Sequence, residues 1–144
     1  MSNRLQAGFS IYGEHSHSRD MLMSSYSFPT PKMKEIKETV PYMSGSYDFS
    51  FLYGKPSYED RQISFEMIVF CNDYQDRSVI ITDIKKWLYG KPMSQLRCDV
   101  YENLEYFVKC IDIEAEILSY GINFKIVFEG HPYARNVIDN SEVI

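Results

Sequence analysis

A mainly β fold with one α-helix is the class this chain predicts, and three observations lead to it. The last third holds three runs in which apolar and polar residues alternate with period two, the mark of half-buried strands. Ahead of them lies a single stretch with helical spacing, closed by Trp87-Leu88-Tyr89-Gly90-Lys91-Pro92. Twelve Tyr and nine Phe are present among 144 residues. A Tyr ring packs while its hydroxyl needs a polar partner, so this composition suits sheet surfaces and subunit interfaces. The length is that of one domain with room for a substantial core.

Leu5 to Tyr12 reads as the first strand, closed by Gly13 and a polar loop from Glu14 to Asp20; Met21 to Ser25 is a second, short one. In Phe28-Pro29-Thr30-Pro31 two prolines fix φ and remove amide donors, so this piece is extended and leads out of the sheet into an arm. From Lys32 to Val40 the residues are mostly charged, with Met33, Ile36 and Val40 spaced apart, a weak strand that needs a partner. Met43 to Ser46 is a turn, after which Tyr47, Phe49 and Phe51 alternate with Asp48 and Ser50. The clearest strand of the first half is Arg61 to Cys71, with Ile63, Phe65, Met67, Val69 and Cys71 on one face. Its other face turns apolar at Ile68 and Phe70, which predicts cover from the helix at that end.

The helix starts at Asp73 or Asp76, either of which can cap its free amides. Ile80, Ile84, Trp87 and Leu88 form one buried stripe, Asp83, Lys85 and Lys86 point to water, and Gly90 and Pro92 end it. Leu96, Cys98 and Val100 alternate, and a tight connection at Glu102-Asn103 leads into an unusually long strand from Glu105 to about Ile117. Unbroken alternation puts Phe107, Lys109, Ile111 and Ile113 on one face, and Tyr106, Val108, Cys110 and Asp112 on the other. Ser119-Tyr120-Gly121 turns the chain, Ile122, Phe124, Ile126 and Phe128 return, Gly130 to Ala134 stops the sheet, and a mobile polar tail runs to Ile144. The expected structural core includes Phe65, Met67, Ile84, Trp87, Leu88, Phe124, Ile126 and Phe128.

The net charge of -5 and a pI near 5.2 argue against a nucleic-acid reader, which needs a concentrated Lys/Arg patch. A mean hydropathy of -0.32 and the lack of any long apolar run argue against a membrane span, and the N-terminus lacks the apolar core of a secretory signal. Cys71, Cys98 and Cys110 show no metal-ligand spacing and cannot all pair within one chain, so reduced, buried thiols and a cytoplasmic place of synthesis are expected.

Motifs that carry chemistry are sparse. In Glu14-His15-Ser16-His17-Ser18-Arg19-Asp20 two histidines would share a strand face and could bind a metal with Asp20, but a supported site needs more converging ligands. A solvated loop is expected, with no metal and no cofactor. No nucleophile has a recognisable base and orienting acid, and Gly45-Ser46-Tyr47-Asp48 lacks the spacing and lysine of a phosphate loop. Glu102, Glu105, Asp112, Glu114 and Glu116 read as a charged sheet surface. The chain is therefore not expected to be an enzyme. The alternatives are a carbohydrate- or ligand-binding β-sandwich, with exposed tyrosines stacking on sugars, and a metal-dependent hydrolase built on His15 and His17.

Five segments, in order, carry a family resemblance: Phe9-Ser10-Ile11-Tyr12-Gly13, Gly45-Ser46-Tyr47-Asp48-Phe49-Ser50, Arg61 to Phe70, Ile84-Lys85-Lys86-Trp87-Leu88-Tyr89-Gly90, and Phe124 to Ala134. Together they make the chain resemble the N-terminal domain of the distal tail proteins of long-tailed, non-contractile bacteriophages. The resemblance implies a β-sandwich flanked by a helix, with an extended hairpin arm, and a hexameric ring joining the tail tube to the adsorption apparatus. It implies a ring-forming domain over residues 1–134, an arm over about 23–44 with Met33, Ile36, Val40 and Tyr42 at the oligomer interface, and a separate tail over 135–144. The implied partners are sister copies, the tail tube and tail-tip proteins, with no specific nucleic acid and no membrane. The implied location is the virion tail, after synthesis in the bacterial host cytoplasm. Acidic character then has a use, since a channel wall that repels DNA lets it pass. Two features depart from the family: Met43-Ser44-Gly45-Ser46 stands where a Gly-Arg-Asp-Gly-like turn is common, and no lectin-like domain follows Ala134, so no sugar-binding role is carried over.

Overall fold

A computed structural model of the protein describes residues 7–34, 37–38, 47–48 and 57–144. The strands are β1 (Phe9–Ile11), β2 (Glu14–His15), β3 (Leu22–Ser27), β4 (Lys37–Glu38), β5 (Tyr47–Asp48), β6 (Arg61–Phe70), β7 (Ser94–Cys98), β8 (Leu104–Leu118), β9 (Gly121–Asn136) and β10 (Glu142–Val143). The helix α1 (Tyr74–Leu88) lies between β6 and β7. One antiparallel sheet runs in the order β2-β1-β7-β8-β9-β6-β3, with β10 added along β9, while β4 and β5 form a separate two-stranded ribbon.

The fold is mainly β, and its two layers come from one sheet folded over. β1 and β6 are four strand steps apart, which in a flat sheet would separate them by roughly 19 Å. Yet the Phe9 ring on β1 stacks on Phe65 of β6 at a centroid distance of 4.7 Å and meets Phe128 of β9 edge-on at 5.7 Å. Two irregularities in the β8/β9 ladder provide the bend. Between Cys110 and Asp112 β8 has one extra residue, Ile111, and between Ala134 and Gly130 β9 has extra residues opposite Phe107.

These bulges correct two sequence expectations, and the tail corrects a third. Tyr106, Val108 and Cys110 face the core, but beyond Ile111 the inward phase passes to Ile113 and Ala115, leaving Asp112 exposed. The Gly130 to Ala134 segment does not stop the sheet: β9 continues to Asn136, because Pro132 falls in the bulge, where no ladder amide is required. Gly130 is needed there, since a Cβ would lie 2.2 Å from the Phe107 carbonyl oxygen. The polar tail turns back through Asn140, in left-handed backbone, and pairs Glu142 and Val143 with Arg135 and Ala134.

The helix seals the open end of the folded sheet. Asp73 caps it, accepting the Gln75 amide at 2.9 Å, and Gly90 ends it with φ of +79°. Ile84, Trp87 and Leu88 enter the core beside Phe65, Met67, Phe124, Ile126 and Phe128. The Trp87 indole lies parallel to Phe9 at 5.6 Å, donates its N–H to the Ile11 carbonyl at 3.2 Å, and carries the Arg19 guanidinium at 4.3 Å. Helix cover therefore falls on the Val69 side of β6, whereas Phe70, expected beneath the helix, is 62% exposed. The predicted polar loop at Glu14 to Asp20 instead holds β2 and a 3-10 turn over Ser16–Arg19.

Candidate functional site

Three places hold the features of interest: the segment expected to form an arm, an acid-rimmed cleft and a histidine cluster. In the segment expected from the sequence to form an arm, Lys32 and Lys34 pair with Glu59 and Ser57 through backbone hydrogen bonds of 2.7 Å each, with Met33 opposite Tyr58. β4 and β5 pair as a ribbon, Lys37 opposite Asp48 and Glu38 opposite Tyr47. Met33 is half-buried between exposed Lys32 and Lys34; Ile36, Val40 and Tyr42 lie outside the described residues.

At the far end of β6 a cleft of about 710 Å³ opens between that strand and α1. Val69, Phe70 and Val79 contribute apolar lining, Val79 being 66% exposed, and Asp20, Asp73, Asp76 and Asp83 line it with Arg19. Asp83 is held by Arg19 at 2.9 Å, and Arg19 also reaches Glu14 at 2.8 Å. Asp20 and Asp76 have no ion-pair partner among the described residues. Beside the cleft Arg77, only 3% exposed, donates from Nη2 to the Cys71 and Ser119 carbonyls at 3.2 Å and lies over the Tyr74 ring. It ties the start of the helix to two strand ends. Arg77 precedes Ile80 and Ile84 on the same helical stripe, and that spacing was the available signal for its burial.

The two histidines come together, but with Asp99 rather than Asp20. Nitrogen and carboxylate atoms of His15, His17 and Asp99 all lie within 4.8 Å of one another. The His17 amide donates to His15 Nδ1 at 3.0 Å, which leaves the ring hydrogen on Nε2, facing Asp99 Oδ2 at 3.0 Å. Asp99 Oδ2 also accepts the Gly8 amide at 3.0 Å. A metal ligated by His15 Nε2 would require the hydrogen on Nδ1, against the amide that caps the 3-10 turn. The cluster thus works as a polar tie between the β1/β2 corner and the end of β7. Asp20 instead ends the 3-10 turn in left-handed backbone. Asp99 is 84 residues from His15, a pairing that only the fold creates.

The cysteines are free thiols. Burial pushes the pKa of both Cys98 and Cys110 up to about 11, so neither is a nucleophile at neutral pH. The sheet carboxylates are distributed among cations: Lys125 stands opposite Glu66 on one side and Glu114 on the other, and Glu105 pairs with Arg135.

No protein-family model matches this chain, and no curated protein matches it in sequence. In structure it matches the crystal structure of SPP1 Dit (gp 19.1), described as a paradigm of the hub adsorption apparatus in Gram-positive infecting phages, with a TM-score of 0.75 at 12% identity. The chain shares the fold of the matched part of SPP1 Dit. The match covers 90% of this chain and 52% of SPP1 Dit, so the chain spans about half the length of that protein. No helix among the described residues is long and apolar enough to cross a membrane.

Proposed function

We propose that this chain is a structural component of a bacteriophage or prophage tail, a Dit-like hub subunit and not an enzyme. In this reading six copies form a ring at the end of a non-contractile tail, joining the tail tube to the tail-tip adsorption apparatus around a channel for DNA. The carrying observation is the match to SPP1 Dit over 90% of the chain. A ribbon that stands apart from the main sheet suits an intersubunit arm, with Met33, Ile36, Val40 and Tyr42 at the contact. The negative net charge suits a channel wall that does not hold DNA. The domain would then extend past Ala134, because β10 completes the end of β9. Deleting residues 30 to 40 is expected to give a folded monomer by light scattering; an oligomer of unchanged size would contradict the arm.

A further inference from the structure

We propose that the acid-rimmed cleft between β6 and α1 is the seat for the arm root, residues 32–37, of a neighbouring copy; this rests on the ring reading above. The two surfaces are complementary in charge and in apolar content. The arm root reads Lys32-Met33-Lys34-Glu35-Ile36-Lys37, three lysines around two apolar side chains and one glutamate. The cleft offers Asp20 and Asp76, neither in an ion pair among the described residues, beside Val69, Phe70 and Val79; Asp83 and Arg19 also line it but hold each other. Their placement decides between a chain's own arm and a neighbour's. The arm root pairs with Ser57 to Glu59, just ahead of β6, and the cleft lies at the last residues of that ten-residue strand. The two are therefore about 30 Å apart along the strand. Exposed Lys32 and Lys34 at one end and an acidic receptacle at the other suit a head-to-tail contact, the kind that closes into rings.

The charge pair gives the test. Asp76→Lys and Lys34→Glu each place like charges across the contact, and each is expected to raise the dissociation constant of the oligomer at least about tenfold by sedimentation. The double variant Asp76→Lys/Lys34→Glu restores opposite charges and is expected to recover assembly. Single variants that assemble like the wild type, or a double variant no better than the singles, would overturn this seat. A second readout avoids reliance on charge: with Met33→Cys, a short bis-maleimide is expected to link the new thiol to Cys71 of the next copy, giving a ladder of multiples on a denaturing gel. Absence of the ladder from an intact oligomer would count against the cleft while leaving the ring. A wild-type chain that stays monomeric at every concentration would overturn the ring itself.

Discussion

Trp87 joins the helix to β1 and to the turn that follows β2. Its ring lies on Phe9, its N–H holds the Ile11 carbonyl, and its other contact is the Arg19 guanidinium. Trp87→Ala leaves a cavity and an unmatched carbonyl at once, and is expected to cost about 3 to 5 kcal/mol by chemical denaturation. The buried thiols supply a pH dependence. Burial raises Cys98 and Cys110 from 9.0 to about 11, so the folded state holds these protons more tightly than the unfolded one. Their contribution is complete below pH 9 and is lost as pH rises to about 11. Tyr12 and Tyr106, also raised chiefly by burial, act in the same direction above pH 10. Denaturation midpoints are expected to fall across that window, and the Cys98→Ala/Cys110→Ala variant to show a shallower fall.

Among the elements, β6 and α1 were legible because each keeps one period from end to end. Ile63, Phe65, Met67 and Val69 alternate without a break, and Ile84, Trp87 and Leu88 share a stripe bounded by Asp73 and Gly90. β8 was misread beyond Cys110 because a bulge shifts the phase without interrupting the strand; the trace it left in the sequence is Asp112 falling on the face otherwise held by Tyr106, Val108 and Cys110. The bulge yields an ordered pair of outcomes. Asp112→Ala is expected to change stability by no more than about 0.5 kcal/mol, and Ile113→Ala to cost about 1 to 3 kcal/mol. The reverse order by thermal or denaturant melts would restore unbroken alternation. The histidine tie and the cleft were not legible, because Asp99 meets His15, and Asp20 meets the helix, only through the fold.

At the scale of the whole molecule, a folded-over sheet completes a core, and the β4/β5 ribbon is hydrogen-bonded separately from it. Phe9, Phe65 and Phe128 close the interior, while exposed Lys32 and Lys34 are held to Glu59 and Ser57 just ahead of β6. Exposed Phe70, Tyr74 and Val79 gather near the opposite end of that strand. Such polarity suits a subunit whose remaining apolar surface is satisfied by like neighbours. The most direct test is the mass of the assembled native protein by native mass spectrometry, read across a concentration series. The predicted result is a closed hexamer that disappears when residues 30 to 40 are removed; a single subunit at all concentrations, with the arm present, would contradict the account.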